Sequence, residues 1–267
     1  MEKRIAEMLG NGVTVTRNKV VKNNGVVLDA FVIRKGDSKV GANVYFDPTL
    51  SEDVIVQRVC ATYQQNMSNI GGVEDMLSGL NRDVVLKNVR PVLINTESNA
   101  SLLSDAVYLP YLDMSVVYRV FISDVGSFVV TRALVDALNI SGSELYEAAM
   151  SNLAQMFVIR KMSELGSFPT MCDEFMLVVN TKDSMYGASV MALPGLLEQI
   201  GKVFDSDYYI IPSSIHEIIC VPANLEVDPG IIVDMIKVVN IEAVAPDDVL
   251  SNSLYKWSKK KGVEVVR

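Results

Sequence analysis

The only histidine in this 267-residue chain, His216, lies in the run Ile211-Pro212-Ser213-Ser214-Ile215-His216-Glu217. A serine hydroxyl activated by an imidazole, with a carboxylate to orient the ring, is the machinery of acyl transfer. Ser213, Ser214, His216 and Glu217 are therefore candidate catalytic residues of a hydrolase or transferase. A structural reading competes with this one. On a regular strand beginning at Ile215, successive side chains alternate faces, so His216 and Glu217 would not meet. Serines beside a turn usually bond their own backbone. His216 is then a hydrogen-bonded core residue.

A second constellation lies in Asp113-Met114-Ser115-Val116-Val117-Tyr118-Arg119-Val120-Phe121-Ile122. Met114, Val116, Tyr118, Val120 and Ile122 make one apolar face. Asp113, Ser115, Val117, Arg119 and Phe121 make a mixed one, as a ligand-facing sheet surface would. The guanidinium fork of Arg119 suits a carboxylate or phosphate, so Asp113 and Arg119 are candidate ligand-binding residues. An ion pair at a sheet edge is the plainer alternative. A third cluster, Lys256, Lys259, Lys260 and Lys261 with Tyr255 and Trp257, could hold a nucleic-acid phosphate. Lysines at a hairpin also simply guard an edge strand.

Several chemistries are missing from the text of the chain. One histidine excludes HExxH zinc sites and any two-imidazole mechanism, and no GxGxxG, GxxxxGK[ST] or GxSxG is present. No cofactor and no metal are expected. Cys60, Cys172 and Cys220 are far apart and sit among apolar neighbours, which reads as buried thiols in a reducing cytoplasm. Acidic residues number 32 against 24 basic, a formal net charge of −8, which makes nucleic acid an unlikely partner. Residues 1–10 read as a short amphipathic helix rather than a signal peptide. No apolar run approaches the roughly 20 residues of a membrane span, so a soluble, cytoplasmic protein without a membrane partner is expected. Half of the chain (49%) is apolar, enough for a sizeable core.

The elements that must position these groups follow from periodicity. Alternation predicts strands over 13–22, 26–33 and 41–46, the first two joined by the turn Asn23-Asn24-Gly25. Ile55, Val59 and Tyr63 recur every four residues, giving a helix from about 51 to 67 that ends before Gly71-Gly72. Residues 84–95 read as a strand and 96–106 as a polar segment with one short helix. A three-fold order of strand, strand and helix then follows. Strands at 113–122 and 127–131 precede helices at 131–138 and 142–163, the latter opened by a Ser141/Glu144 capping box. Strands at 175–179 and 188–193 precede a helix at 195–204. Strands at 208–211 and 215–221 precede a helix at 229–243, with Pro229 at its first turn and a stripe of Ile231, Ile232, Met235, Val238 and Val239. Met76, Met150, Met156, Met162 and Met235 fall at helical positions and read as core. A hairpin of 254–257 and 263–266 ends the pattern. The fold class is α+β: antiparallel sheets with helices packed on one face, built largely from β-β-α units. Two regions are drawn, 1–105 and 106–267.

Four stretches together resemble a known group. They are Val20-Val21-Lys22-Asn23-Asn24-Gly25-Val26, Tyr111 to Val120, Ile211 to Glu217, and Ala245-Pro246-Asp247-Asp248-Val249-Leu250-Ser251. In that order they resemble an uncharacterised family classed as a domain of unknown function, common in gut Clostridia and their mobile elements. The resemblance implies a small, soluble, cytoplasmic bacterial protein and supplies no activity. It marks Asn24, Asp113, Arg119, Ser213, Ser214, His216 and Glu217 as motif positions. The leading expectation is a non-enzymatic binding or regulatory protein that meets a protein partner or small ligand on the Asp113/Arg119 face. The alternative is the hydrolase or transferase of the 213–217 hairpin. A weaker third idea, interference with a nucleic-acid machine through acidic surface, is met as well by solubility.

Overall fold

The computed structural model describes residues 1–38, 41–122, 126–166, 175–225 and 227–266. Its first layer is a three-stranded antiparallel meander, β1 (Val13–Val21), β2 (Val27–Lys35) and β3 (Ala42–Tyr45). One face of it is covered by α1 (Glu2–Leu9) and α2 (Glu52–Ser78), with Ile5, Phe31, Ile33, Val44, Ile55, Val56, Val59, Cys60 and Tyr63 as their common core. The spacing-four triad of α2 is thus its buried stripe. The helix runs through Gly71-Gly72 to Ser78 instead of ending before them. Glycine costs about 1 kcal/mol in a helix interior but does not remove a hydrogen bond, so it weakens without terminating.

The strand expected over 84–95 divides into α3 (Arg82–Asn88) and β4 (Val89–Asn95). Asn81 caps α3 by accepting from the Val84 N–H, a start signal that the β-branched Val84-Val85 pair masked. After the one-turn α4 (Ala100–Leu103) come β5 (Tyr108–Tyr111), β6 (Met114–Ile122) and β7 (Gly126–Val129). β6 is central, bonded to β4 on one side and to β5 and β7 in succession on the other. The pairing of β4 with β6 runs across residue 105, where the two sequence regions were divided.

α5 (Arg132–Ala137) and α6 (Gly142–Ala154) follow, the latter opened by the Ser141/Glu144 capping box. Helix α6 does not continue to 163. The chain turns at Gln155-Met156 and forms β8 (Phe157–Lys161), which pairs with β9 (Leu177–Thr181). The segment expected as a strand over 188–193 is instead a short 3-10 helix over 187–192. The remaining elements are α7 (Leu196–Phe204), β10 (Tyr208–Ser214), β11 (Glu217–Pro222), α8 (Pro229–Glu242), β12 (Tyr255–Ser258) and β13 (Gly262–Val265). The second sheet has six strands in the order β13-β12-β10-β11-β9-β8, all antiparallel. The α+β class holds.

The two larger sheets share one core. Leu93, Met114 and Val116 from the β4–β6 sheet pack with Leu177, Val179, Tyr208, Ile210, Ile218 and Cys220 from the six-stranded one. Helix α7 closes the same core, and its Gly201 leaves the room that the Trp257 ring fills. Helix α8 lies against the opposite face of that sheet, through Ile232 and Ile236 on Tyr209 and Ile211. Among the described residues no helix is long and apolar enough to cross a membrane.

Candidate functional site

The β10–β11 hairpin does not carry His216 on a strand. Ser214 pairs with Glu217, so Ile215 and His216 form the turn itself, and a bulge at Pro212–Ser214 shifts the register just before it. Neither turn residue has positive φ, so this is not the mirror-image turn that usually joins two strands, and the bulge absorbs the twist. The alternation argument made from a regular strand therefore does not apply. The tip is also not free. Ile215 is buried, its N–H donates to the Asp248 carbonyl at 2.8 Å, and its carbonyl accepts the Ala188 N–H at 3.2 Å.

Both ring nitrogens of His216 are engaged. Nδ1 accepts the Tyr186 backbone N–H at 3.1 Å, and Nε2 lies 3.2 Å from Asp248 Oδ1. An Nδ1 that accepts carries no proton, so the neutral ring holds its proton on Nε2 and donates it to Asp248. A hydrolytic base needs the reverse, a free Nε2 facing a hydroxyl and an Nδ1–H facing a carboxylate. The serines confirm the difference. Ser214 Oγ accepts the His216 backbone N–H at 3.0 Å, and Ser213 Oγ donates to Glu217 at 3.3 Å. The four hairpin candidates are neighbours, yet neither hydroxyl is bonded to the imidazole.

The segment that receives the ring is strained. Ser184 and Tyr186 both have left-handed backbones, at φ 56° and 53°, conformations that non-glycine residues adopt at a cost. Gly187 explains how it fits: a methyl there would overlap the His216 carbonyl oxygen and lie 2.8 Å from Asn180 Cα and Thr181 N. Asp183 anchors the loop by accepting from Arg90 at 2.8 Å and from the Met185 N–H. Burial opposes its charge, but the hydrogen bonds from Arg90, Thr181 and Met185 prevail and hold its carboxyl below the usual carboxylate value. Arg90 also stacks on Phe121, and Phe121 meets Tyr186 edge-on.

Asp113 and Arg119 are not brought together. Asp113, before the start of β6, accepts from Ser251 Oγ at 3.0 Å, Ser253 Oγ at 2.9 Å and the Tyr255 hydroxyl at 2.7 Å. Burial, with the Asp113 charge added, pushes the Tyr255 phenol far up, so it stays a donor. Arg119 donates to the Ser127 hydroxyl and carbonyl, both at 2.9 Å, and lies over the Tyr186 ring. The mixed face of β6 is covered too: Val117 and Phe121 pack with Val92, Ile94, Leu103 and Ala106. β6 is buried along its length except at the half-buried Arg119, and Asp113 and Arg119 are each held by separate partners.

The four motifs instead converge on one loop, residues 245–253. Asn24, with φ 58°, donates from Nδ2 to the Pro246 and Val249 carbonyls at 2.9 and 2.7 Å. Asn23 donates to the Asp247 carbonyl at 2.8 Å. Asn24 and Asn99 exchange two further bonds, each 2.9 Å. Asn95 and Asn240 donate to the Leu250 and Ser251 carbonyls. The loop thereby ties the meander, the β4–β6 sheet, the β10–β11 hairpin and α8 to one another. Asp248, Asn99, Tyr186 and Gly187 were not singled out from sequence. Asp248 stood inside a quoted motif, whereas Tyr186 and Gly187 gave no signal short of the folded geometry.

The other candidates fall elsewhere. Trp257, half-buried, stacks on Tyr208 at the edge of the core, and Lys256 and Lys261 face Asp207 and Glu264. Cys60 and Cys220 are free and buried, burial pushing both thiols up; Cys172 and the Met76 side chain lie outside the described residues. Among the described residues no group of three His, Cys, Asp or Glu side chains is placed to hold a metal ion. One cleft lies between α8 and the Ile211–Ser213 stretch of β10, with Ser213 in its lining.

Residues 1–259 match a family model described as "Family of unknown function (DUF5688)", so the chain belongs to that family. No curated protein and no solved structure matches the chain.

Proposed function

Taking that membership as the premise, we propose that the protein is a non-enzymatic binding or regulatory protein, and that the residues of its four motif stretches build a structural junction rather than a catalytic centre. The observation that carries this is the state of His216, whose Nδ1 is spent on a backbone N–H and whose Nε2 faces Asp248. Ser214, the hydroxyl best placed to serve it, is itself spent on the turn backbone. The same reading applies to Asp113, saturated by three hydroxyls, and to Asn24.

The setting we propose is a bacterial cytoplasm, supported by buried free thiols and by the motif resemblance, which also carries the mobile-element context. Nucleic acid is disfavoured by a net charge of −8. For domain organisation we propose that the first unit ends near 79–81, after α2, because its core lies wholly within residues 5–63 while β4 is bonded into the second.

A fluorophosphonate probe tests the central claim, since it labels activated serines. Intact-mass and peptide analysis should find no adduct on Ser213 or Ser214. His216→Asn, whose amide oxygen can replace Nδ1 as acceptor, should lower stability by about 1 kcal/mol and His216→Ala by about 2. A serine adduct that disappears in His216→Asn would overturn the proposal.

A further inference from the structure

Helix α8 is apolar on two sides, and only one of them is covered. Ile232, Ile236 and Asn240 form the inner stripe that faces the six-stranded sheet. The outer side carries Ile231, Val238 and Ile241, which are 65%, 51% and 84% exposed, with Met235 and Val239 half-exposed beside them. The sequence reading placed Ile231, Met235, Val238 and Val239 on the core stripe; the structure moves them outward. An apolar stripe on a helix calls for a cover, and here the inner stripe has one while the outer does not. Beside it lies a groove of about 140 Å³ lined by Met176, Ile211, Pro212, Ile219, Met235 and Val239, which extends the apolar surface past the helix.

The polar residues on the outer side say what covers it. From Ile231 the outer face reads Ile231, Asp234, Lys237 with Val238, and Ile241, at steps of three and four, with Glu242 exposed at its C-terminal margin. Laid antiparallel on itself about Asp234–Val238, this pattern sets Ile231 against Ile241 of the second copy at both ends. At the centre it sets Asp234 against the Lys237-Val238 turn of that copy, and the reverse. The acid and base are exposed and already within 3.3 Å in one chain, so each can exchange its intrachain partner for the equivalent group across the axis. The pattern matches its own two-fold copy, the self-complementarity that an isologous interface requires. We propose that α8 is the interface of a homodimer, the outer stripes of two copies packing antiparallel. The inference goes beyond the binding reading and does not depend on it.

The full chain tests this by sedimentation velocity from about 5 to 200 μM, the range suited to a small interface. The expected result is a concentration-dependent monomer–dimer equilibrium. Ile231→Glu and Ile241→Glu should be monomeric throughout, with unchanged near-UV circular dichroism because neither side chain is buried. Asp234→Lys and Lys237→Asp supply the decisive step. Each alone sets like charges across the axis and should weaken association at least about tenfold. Mixed together, the two variants should restore it as a heterodimer. A wild-type chain that stays monomeric at 200 μM overturns the proposal. So does a dimer that survives Ile241→Glu, or a mixture of the two charge variants that fails to associate.

Discussion

Two hairpin tips dock on the same loop by opposite means. The β1–β2 tip, Asn23-Asn24-Gly25, arrives with amide side chains and makes only hydrogen bonds to 246–249 and Asn99. The β10–β11 tip, Ile215-His216, arrives with a buried isoleucine and a ring fixed on both nitrogens. The first attaches a unit that has its own core; the second is part of the core it docks on. A polar latch can open without exposing much apolar surface, so the meander layer should separate in a way the second hairpin should not.

The sharpest way to break the contrast is at Gly187, where an added methyl meets only backbone and nothing flexible can yield. Gly187→Ala should cost about 3 kcal/mol or more, seen in urea denaturation as loss of the whole β4–β13 body in one transition. A cost below about 1 kcal/mol would mean that the second tip is as loosely held as the first. Asn24→Ala comes next, at about 2 kcal/mol, since it removes two donors to carbonyls and leaves alanine at φ 58°. Its signature is different. Calorimetry should resolve two transitions, and limited proteolysis should cut near 79–81 while the body persists. Asn24→Gly, which tolerates the backbone, should still release the layer; if it does not, the side-chain bonds are not the latch.

The smallest effect lies in acid. Asp183 holds the loop that offers Tyr186 to His216, and its carboxyl is lowered in the folded protein. A lowered folded value means the stabilisation is complete above the unfolded value of about 4 and is lost as pH falls through the folded one. Wild type and Asp183→Asn should therefore differ most in melting temperature at neutral pH and converge below the ordinary carboxylate range. The difference should be absent in the separated transition of the meander layer.

What was legible in the sequence were features whose signal is local. The Asn24-Gly25 turn needs positive φ and uses the residues that tolerate it. The Ser141/Glu144 box and Pro229 opened α6 and α8 where expected. Failures came where a partner distant in sequence decides. Val158-Ile159 became a strand because β9 was there to bond it, not because a breaker ended α6. The mixed face of β6 looked like a ligand surface because nothing in its own residues says that Leu103 of α4 packs onto it. The outer stripe of α8 shows the same limit. Periodicity finds apolar residues, but the direction they face is set by the sheet beneath.

The latch also dictates an order of assembly. Asn23 and Asn24 bond carbonyls more than 220 positions further along the chain, whereas the meander layer is complete by α2. During synthesis the first layer can therefore close its core while the rest is still inside the ribosome, and must then wait with its amides bonded to water. A chain made at about 5–20 residues per second leaves that layer without its docking loop for roughly ten seconds or more before residues 246–249 emerge, and its amide-bearing tip can stay hydrated through that wait.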